Sequence, residues 1–156
     1  MGLLQTDFFR RAMAAPWLIA VLKATVPRMD RFLLKISRGW INTGFQTVTL
    51  LVTTGARSGI KREVPTLCMP IEDGIVLVGS NWGKPGHPAW VHNLRAHPQA
   101  HITFRGYRGP MTAVELEGDA REAMWQQLVA YNPQYAIYQS GVDRLLPVIQ
   151  LNRPGN

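Results

Sequence analysis

Residues 55–62, Gly55-Ala56-Arg57-Ser58-Gly59-Ile60-Lys61-Arg62, place three cations and a hydroxyl between two glycines within eight positions. Such a loop can turn successive backbone N–H groups outward as a nest, with forked guanidinium donors and an O–H beside them, which is the chemistry of phosphate binding. The same residues also suit the solvated tip of an ordinary hairpin. A second stretch, Gly79-Ser80-Asn81-Trp82-Gly83-Lys84-Pro85-Gly86-His87-Pro88-Ala89-Trp90-Val91-His92-Asn93, combines glycines that admit close backbone approach with two flat tryptophans and a helix start near Ala89. Free N–H groups at that helix start can face an anion or a carbonyl. Together the two stretches suit a planar, heteroaromatic, phosphorylated ligand.

Other chemistries leave little trace. His87, His92, His97 and His101 fall near one another, but without HExxH or CxxC companions they read as loop and helix residues, and no metal is expected. Cys68 is the single cysteine and lies in an apolar run, so it reads as a small buried hydrophobe of a chain in a reducing, cytoplasmic setting.

The elements that must position these loops follow from the pattern. Thr47–Thr54 is rich in β-branched residues and predicts a strand. Arg62–Met69, Ile75–Gly79, Ala100–Phe104, Gly109–Glu117 and Leu145–Leu151 predict five more, the first three strands forming an antiparallel meander. Helices fit Ala89–Ala96, Asp119–Tyr131 and a short segment opened by Asn132-Pro133. Six short strands dominated by hairpins argue for an antiparallel α+β barrel, and the absence of GxGxxG after the first strand excludes a Rossmann domain. A chain of 156 residues that is 46% apolar and 17% charged supports one core without disulfides and excludes a wholly disordered protein.

The charge is uneven. Of the net +7, +5 falls in residues 1–40, which points to an anionic partner. Arg10-Arg11 and the apolar stretch Ala12–Leu22 imitate a signal peptide without a cleavage site, and eleven residues fall short of the about 20 needed to span a bilayer. A second amphipathic segment begins at Pro27, taken as a first-turn residue, places Met29, Phe32, Leu33 and Ile36 on one face, and stops at Gly39. That face is expected to pack on the domain's own core, with peripheral membrane contact through residues 8–38 as the other use of a basic amphipathic helix. Residues 1–40 and 41–156 thus read as helical N-terminal part and barrel of one domain.

The succession Leu51-Val52-Thr53-Thr54-Gly55-Ala56-Arg57-Ser58-Gly59, Arg62-Glu63-Val64-Pro65, Ser80-Asn81-Trp82-Gly83 and His87-Pro88-Ala89-Trp90-Val91-His92-Asn93-Leu94-Arg95-Ala96-His97-Pro98 resembles the deazaflavin-dependent nitroreductases of actinobacteria, from about Asp30 to Pro154. The resemblance implies a six-stranded split β-barrel of the flavin-reductase type that binds coenzyme F420 and passes its hydride to quinones, activated alkenes or nitroaromatics. By position, Arg57, Ser58, Gly59, Lys61 and Arg62 would hold the phosphate, with Ala56, Val64, Pro65 and Trp82 also among the cofactor-binding residues. Val78, Gly79, Ser80 and Asn81 would line the deazaflavin, and Ala89, Trp90 and Asn93 would close the site from the following helix. Many members carry Arg where this chain has Ala56 and Lys where it has Asn81, which implies a weaker hold on the phosphate or the anionic tail.

In such a reductase the hydride resides on the cofactor, and the protein supplies orientation and donors for the charge that develops on the acceptor. Ser80, Tyr131, Tyr135 and Tyr138 are the candidate donors: Tyr135 and Tyr138 share a face at i and i+3, Tyr131 ends the preceding helix, and the family resemblance implies that the three tyrosines wall the acceptor pocket, Tyr135 first. FMN on the same fold is the alternative cofactor. A non-catalytic module binding nucleic acid or anionic lipid is the alternative class. Nucleic acid is disfavoured because the basic residues are interleaved with aliphatic side chains. The oligomeric state stays open.

Overall fold

The structure, a computed structural model, describes residues 16–42 and 46–155. The apolar stretch from Ala12 therefore lies partly outside the described residues. Helix α1 (Pro16–Ile36) is one helix running through Pro27, not a segment that begins there. An interior proline gives no N–H to the preceding turn and costs about 3 kcal/mol, so tertiary packing must hold this helix together. Leu34 provides part of that packing, fully buried against Val48 and Leu50. Gly39 (φ +84°) closes the helix with its N–H on the Leu34 carbonyl at 2.8 Å, and a Cβ there would lie 2.5 Å from Phe104 Cα. Only glycine fits that approach.

The outward face of α1 is the main departure from expectation. Asp30 and Leu34 turn inward, whereas Met29, Phe32 (63% exposed) and Ile36 (64%) point to solvent and do not pack on the core. The cause is the docking of the other face. Glu63 on the neighbouring strand pairs with Lys35 Nζ at 2.8 Å and Arg31 Nε at 3.7 Å, and its carbonyl accepts from Arg31 Nη2.

The strands are β1 (Val48–Thr54), β2 (Lys61–Leu67), β3 (Met69–Ile71), β4 (Gly74–Val78), β5 (Gln99–Phe104), β6 (Tyr107–Glu115) and β7 (Val148–Asn152). They form one antiparallel sheet ordered β2-β1-β5-β6-β7-β4-β3, curled into an incompletely closed half-barrel. The α+β antiparallel barrel is as expected, but it has seven strands, not six, and no three-strand meander at its start. The predicted strand Arg62–Met69 divides at Cys68, where the chain leaves one sheet edge and enters the other. Cys68 still donates its N–H to the Thr47 carbonyl, while Met69 already pairs with Val76. Because β2 and β3 are edges, Pro65 and Pro70 are tolerated within them.

Period-two alternation sorts side chains to the two sides of the curl. Leu51, Ile75, Leu77, Ile102, Met111, Ile149 and Leu151 fill the interior, joined by Trp90, Val91 and Leu94 of helix α2 (Ala89–Ala96). Val76, Val78 and Val148 face outward onto Leu128 of α3 (Gly118–Tyr131) and Tyr135 of α4 (Gln134–Ser140). Strand β1 is covered on its outer side by Leu34 of α1. A bidentate Arg95–Glu115 pair at 2.7 and 2.8 Å ties α2 to β6 and holds the Glu115 carboxyl below its ordinary range.

Candidate cofactor and acceptor cleft

A cleft of about 1410 Å³ opens between the β1–β2 hairpin, the inner face of α1, the loop after β4 and the start of α2. It brings together Ala56, Arg57, Ser58, Arg62, Val64 and Pro65 from the hairpin with Val78, Ser80, Asn81 and Trp82 from the loop. Ala89, Trp90 and Asn93 of α2 and Tyr138 of α4 complete the walls. The two stretches singled out in the sequence thus face one cavity, although about twenty residues separate them. Gly59 and Lys61 stand outside it. Gly59 sits exposed at the turn with φ +66°, and Lys61 Nζ donates to Thr54 Oγ1 at 2.9 Å. Gly79 is buried beneath the loop, where a Cβ would meet Val91 and Pro147.

The hairpin is tightly closed. Gly55 and Ile60 bond through N–H and C=O at 2.9 Å, Gly59 N–H reaches the Gly55 carbonyl, and the Ser58 hydroxyl accepts from Ile60 N–H at 3.3 Å. No hydrogen bond or ion pair among the described residues engages the guanidinium of Arg57 or Arg62, so both forks stand free for an anion. Ala56 N–H is already spent: it donates to Asn93 Oδ1 at 2.9 Å, while Asn93 Nδ2 donates to Thr53 Oγ1 at 2.9 Å. Asn93 is therefore a buried clamp between α2 and the hairpin, with its amide committed to protein.

The loop after β4 is strained. Asn81 (φ 49°), Trp82 (φ 58°) and Gly83 (φ 74°) are successive left-handed residues, a conformation that costs non-glycine residues about 1–3 kcal/mol each. Asn81 Nδ2 spans the loop to the Gly86 carbonyl at 2.9 Å, and Trp82 is 56% exposed at the rim. No hydrogen bond among the described residues engages the Ser80 hydroxyl. Sequence reasoning missed the residue beneath this loop, Arg144, whose guanidinium meets the carbonyls of Gly79, Ser80 and Lys84 and the His87 ring at 3.0–3.2 Å. It also missed the α1 contribution, Val26, Pro27 and Asp30 on the cleft wall. The only signal for α1 was the i, i+4 spacing of Asp30 and Leu34, which the stronger apolar stripe on the opposite face obscured.

The three tyrosines separate. Tyr138 is half-buried on the cleft wall, its ring 3.3 Å from where a Cβ of Gly83 would stand, and burial pushes its hydroxyl pKa up. Tyr131 and Tyr135 line a second cavity of about 240 Å³ with Gln46, Thr47, Leu67, Cys68 and Asn132. The Tyr131 and Thr47 hydroxyls bond at 2.6 Å. Tyr135 is 1% exposed in the outer core, and burial raises its hydroxyl well above the ordinary phenol. Cys68 is likewise buried, its thiol pushed up to about 12. Helix α4 therefore turns Tyr138, not Tyr135, toward the cleft.

The donor set fits a phosphorylated aromatic cofactor: two free guanidinium forks and a serine from the hairpin, apolar strand and tryptophan surface, and the hydroxyl-bearing residues Ser80 and Tyr138 border one cleft. Comparison with known proteins agrees. The family model of the F420H(2)-dependent quinone reductases matches residues 28–153. An F420H(2)-dependent quinone reductase of Mycobacterium tuberculosis is 34% identical over 107 residues, covering 67% of this chain and 72% of that protein. A solved F420-H2 dependent reductase is 40% identical, with a TM-score of 0.62 over 67% of this chain and 93% of its own. A solved domain-swapped dimer is 30% identical, with a TM-score of 0.63 over 87% and 97% of the two chains. The heme storage protein HutZ of Vibrio cholerae, at 16% identity and a TM-score of 0.50 over 79% and 89%, shares the fold alone. With the cleft, the basic hairpin and the half-barrel in agreement with these matches, the chain belongs to the F420H(2)-dependent quinone reductase family.

Proposed function

We propose that the cleft holds reduced coenzyme F420 and presents it to a quinone-type acceptor. The observation that carries this reading is the convergence of the Arg57–Arg62 hairpin, the Ser80–Trp82 loop and Tyr138 on one cavity large enough for both partners. Arg57, Ser58 and Arg62 hold the phosphate, Val78 and Trp90 offer apolar surface to the ring system, and the cofactor when bound supplies the hydride. Ser80 and Tyr138 orient the acceptor and donate hydrogen bonds to the oxygen on which charge develops, the largest contribution that a protein makes to such chemistry. A tyrosine hydroxyl with its pKa raised by burial stays protonated at neutral pH and can serve that role.

Titration of the purified protein with F420 and, in parallel, FMN tests the reading through quenching of tryptophan fluorescence. Micromolar binding of F420 with weaker binding of FMN is the expected result. Preference for FMN, or binding of neither, would overturn it.

The outward face of α1 supports peripheral association with an anionic bilayer as the place where the acceptor is met. Met29, Phe32 and Ile36 continue into Trp40 (69% exposed) and Ile41, with Arg28 and Arg38 exposed beside them and Arg31 and Lys35, paired with Glu63, at the border with the docked face. Among the described residues no helix is long and apolar enough to cross a membrane, so this face would lie in the interface plane. The protein is expected to co-sediment with vesicles containing anionic phosphatidylglycerol but not with purely zwitterionic ones. Phe32→Asp with Ile36→Asp is expected to abolish that binding while leaving F420 affinity within twofold. Co-sedimentation of the double variant equal to that of the parent would remove this face from the account.

A further inference from the structure

The loop that carries Ser80 and Trp82 into the cleft is shaped partly by its own hydrogen bonds and tied at its start by Gly79 N–H on the Pro147 carbonyl. Its internal bonds include Gly83 N–H to the Ser80 carbonyl, Lys84 N–H to the Asn81 carbonyl, Ser80 N–H to the Val78 carbonyl, and the Asn81 amide to Gly86. These leave the carbonyls of Gly79 and Lys84 without an internal partner, and the strained run Asn81–Gly83 lies between them. A residue distant in sequence engages both carbonyls. Arg144, in the connection between α4 and β7, donates through Nη1 to the Gly79 carbonyl at 3.1 Å and to His87 Nδ1 at 3.0 Å. Through Nη2 it donates to the Ser80 carbonyl at 3.1 Å and the Lys84 carbonyl at 3.2 Å.

The four acceptors match the four terminal guanidinium N–H groups one to one, a fork that no other side chain reproduces. Because a guanidinium has only donors, His87 Nδ1 must be the acceptor, which places the imidazole proton on Nε2 and keeps the ring neutral. Gln139, the other polar anchor of this connection, receives Leu146 N–H on its Oε1 and donates from Nε2 to the Arg144 carbonyl, so the backbone that carries the guanidinium is itself fixed.

We propose that Arg144 is the positioning residue of the cofactor loop, clamping residues 79–87 so that Ser80 and Trp82 face the cleft, with neutral His87 as its fourth acceptor. The inference rests on the cleft being the F420 site. It assigns Arg144 no contact with the cofactor or the acceptor; its effect passes through the loop.

The neighbourhood of His87 sets the pH direction. Burial comes first, followed by the charges of Arg144 and Arg95 and the ring of His92, whose centroid is 5.8 Å away; all of these disfavour the imidazolium, and Glu115 alone favours it. The His87 pKa accordingly lies below its ordinary 6.5. All four bonds are present above that range, and the His87 bond is lost as pH falls through the lowered pKa, when Nδ1 gains a proton and turns from acceptor to a second cation beside the guanidinium; the three carbonyl bonds remain in a weakened clamp.

The test uses the full chain and two readouts. The first is hydrogen–deuterium exchange of the free protein, resolved to residues 79–87. Arg144→Gln is expected to raise exchange of the Gly83 and Lys84 amides at least tenfold while the β1 and β4 amides stay unchanged. Arg144→Lys, with three donors on one nitrogen, should give an intermediate increase and serves if the glutamine variant does not fold. The second is F420 titration across pH 5–8. Binding is expected to weaken tenfold or more in Arg144→Gln, and the parent's acid-side loss of affinity should disappear in His87→Gln, whose amide oxygen still accepts from Arg144.

Unchanged loop exchange in Arg144→Gln, a rise spread evenly over the whole chain, or a loosened loop with unaltered F420 affinity would each overturn the proposal. If the parent fails to bind F420 while the loop still loosens in Arg144→Gln, the cofactor reading of the cleft falls and the clamp stands.

Discussion

Arg57→Ala and Arg62→Ala should each weaken F420 binding tenfold or more, and the double variant a hundredfold or more, with turnover at saturating cofactor reduced far less. Both guanidinium forks face the cleft, and no hydrogen bond or ion pair among the described residues occupies either. A charge-assisted hydrogen bond contributes about 1.5–3 kcal/mol net, which is the tenfold or larger loss expected for each. Their separation along the chain matters to the outcome: Arg62 is fixed at the start of β2, opposite Thr53, while Arg57 projects from the turn. Loss of Arg62 should therefore hurt the more, since a donor held on a strand gives up less freedom on binding than one on a loop tip. Fluorescence titration of the three variants checks this, and an affinity that survives the double substitution would show that the hairpin is a solvated turn and no phosphate site.

The second large effect falls on Tyr135, and it separates structure from chemistry. Tyr135→Ala should cost about 3–5 kcal/mol of stability, as deletion of a large buried aromatic does, because the ring is packed with Val76, Val78, Leu128, Leu146 and Val148. Tyr135→Phe should cost less than about 1 kcal/mol and retain most of the quinone reductase activity, since no hydrogen bond among the described residues engages the Tyr135 hydroxyl. Tyr138→Phe should behave in the opposite way, leaving stability nearly unchanged and lowering turnover with menadione. Urea denaturation paired with steady-state assays of the three variants would decide the matter. A Tyr135→Phe enzyme that folds normally but has lost turnover would restore Tyr135 to the chemistry.

The contrast between those tyrosines shows where local pattern stops being informative. Tyr135 and Tyr138 are three positions apart in α4 and share a face in any helical projection. Which of them meets the cleft depends on how α4 rolls against β4 and β7, a matter of whole-molecule packing. The same reasoning applies to α1. Its strongest apolar stripe, Met29-Phe32-Ile36, was expected to face the core, but Glu63 holds Arg31 and Lys35 against β2 and leaves that stripe in solvent. Two ion pairs, one hydrogen bond to a backbone carbonyl and the burial of Leu34 fix the narrower face carrying Asp30 against the sheet and the cleft wall.

The barrel itself was legible because period-two alternation and turn residues act locally. Thr47–Thr54, Ala100–Phe104 and the β-turns at Gly55–Gly59 and Asp73-Gly74 lie where their side chains and backbone freedom put them, within a residue or two. The division at Cys68 was not legible, since Leu67, Cys68 and Met69 are an unbroken apolar run, and Pro65 and Pro70 on either side mark edge strands without saying that the edges belong to opposite ends of one sheet.

The residue types of the hairpin and of the loop after β4 determined by themselves that an anionic, planar ligand would be sought, because guanidinium forks, glycines and tryptophans carry that preference in any fold. Only the tertiary structure decided that the two segments share one cavity, that Asn93 spends its amide on the hairpin, and that Arg144 closes on four acceptors from the loop. The reason is physical: a donor's chemistry is local to its side chain, whereas its partner is chosen by the closure of the sheet, which brings residue 144 to within hydrogen-bond distance of residue 79 across sixty-five positions of chain.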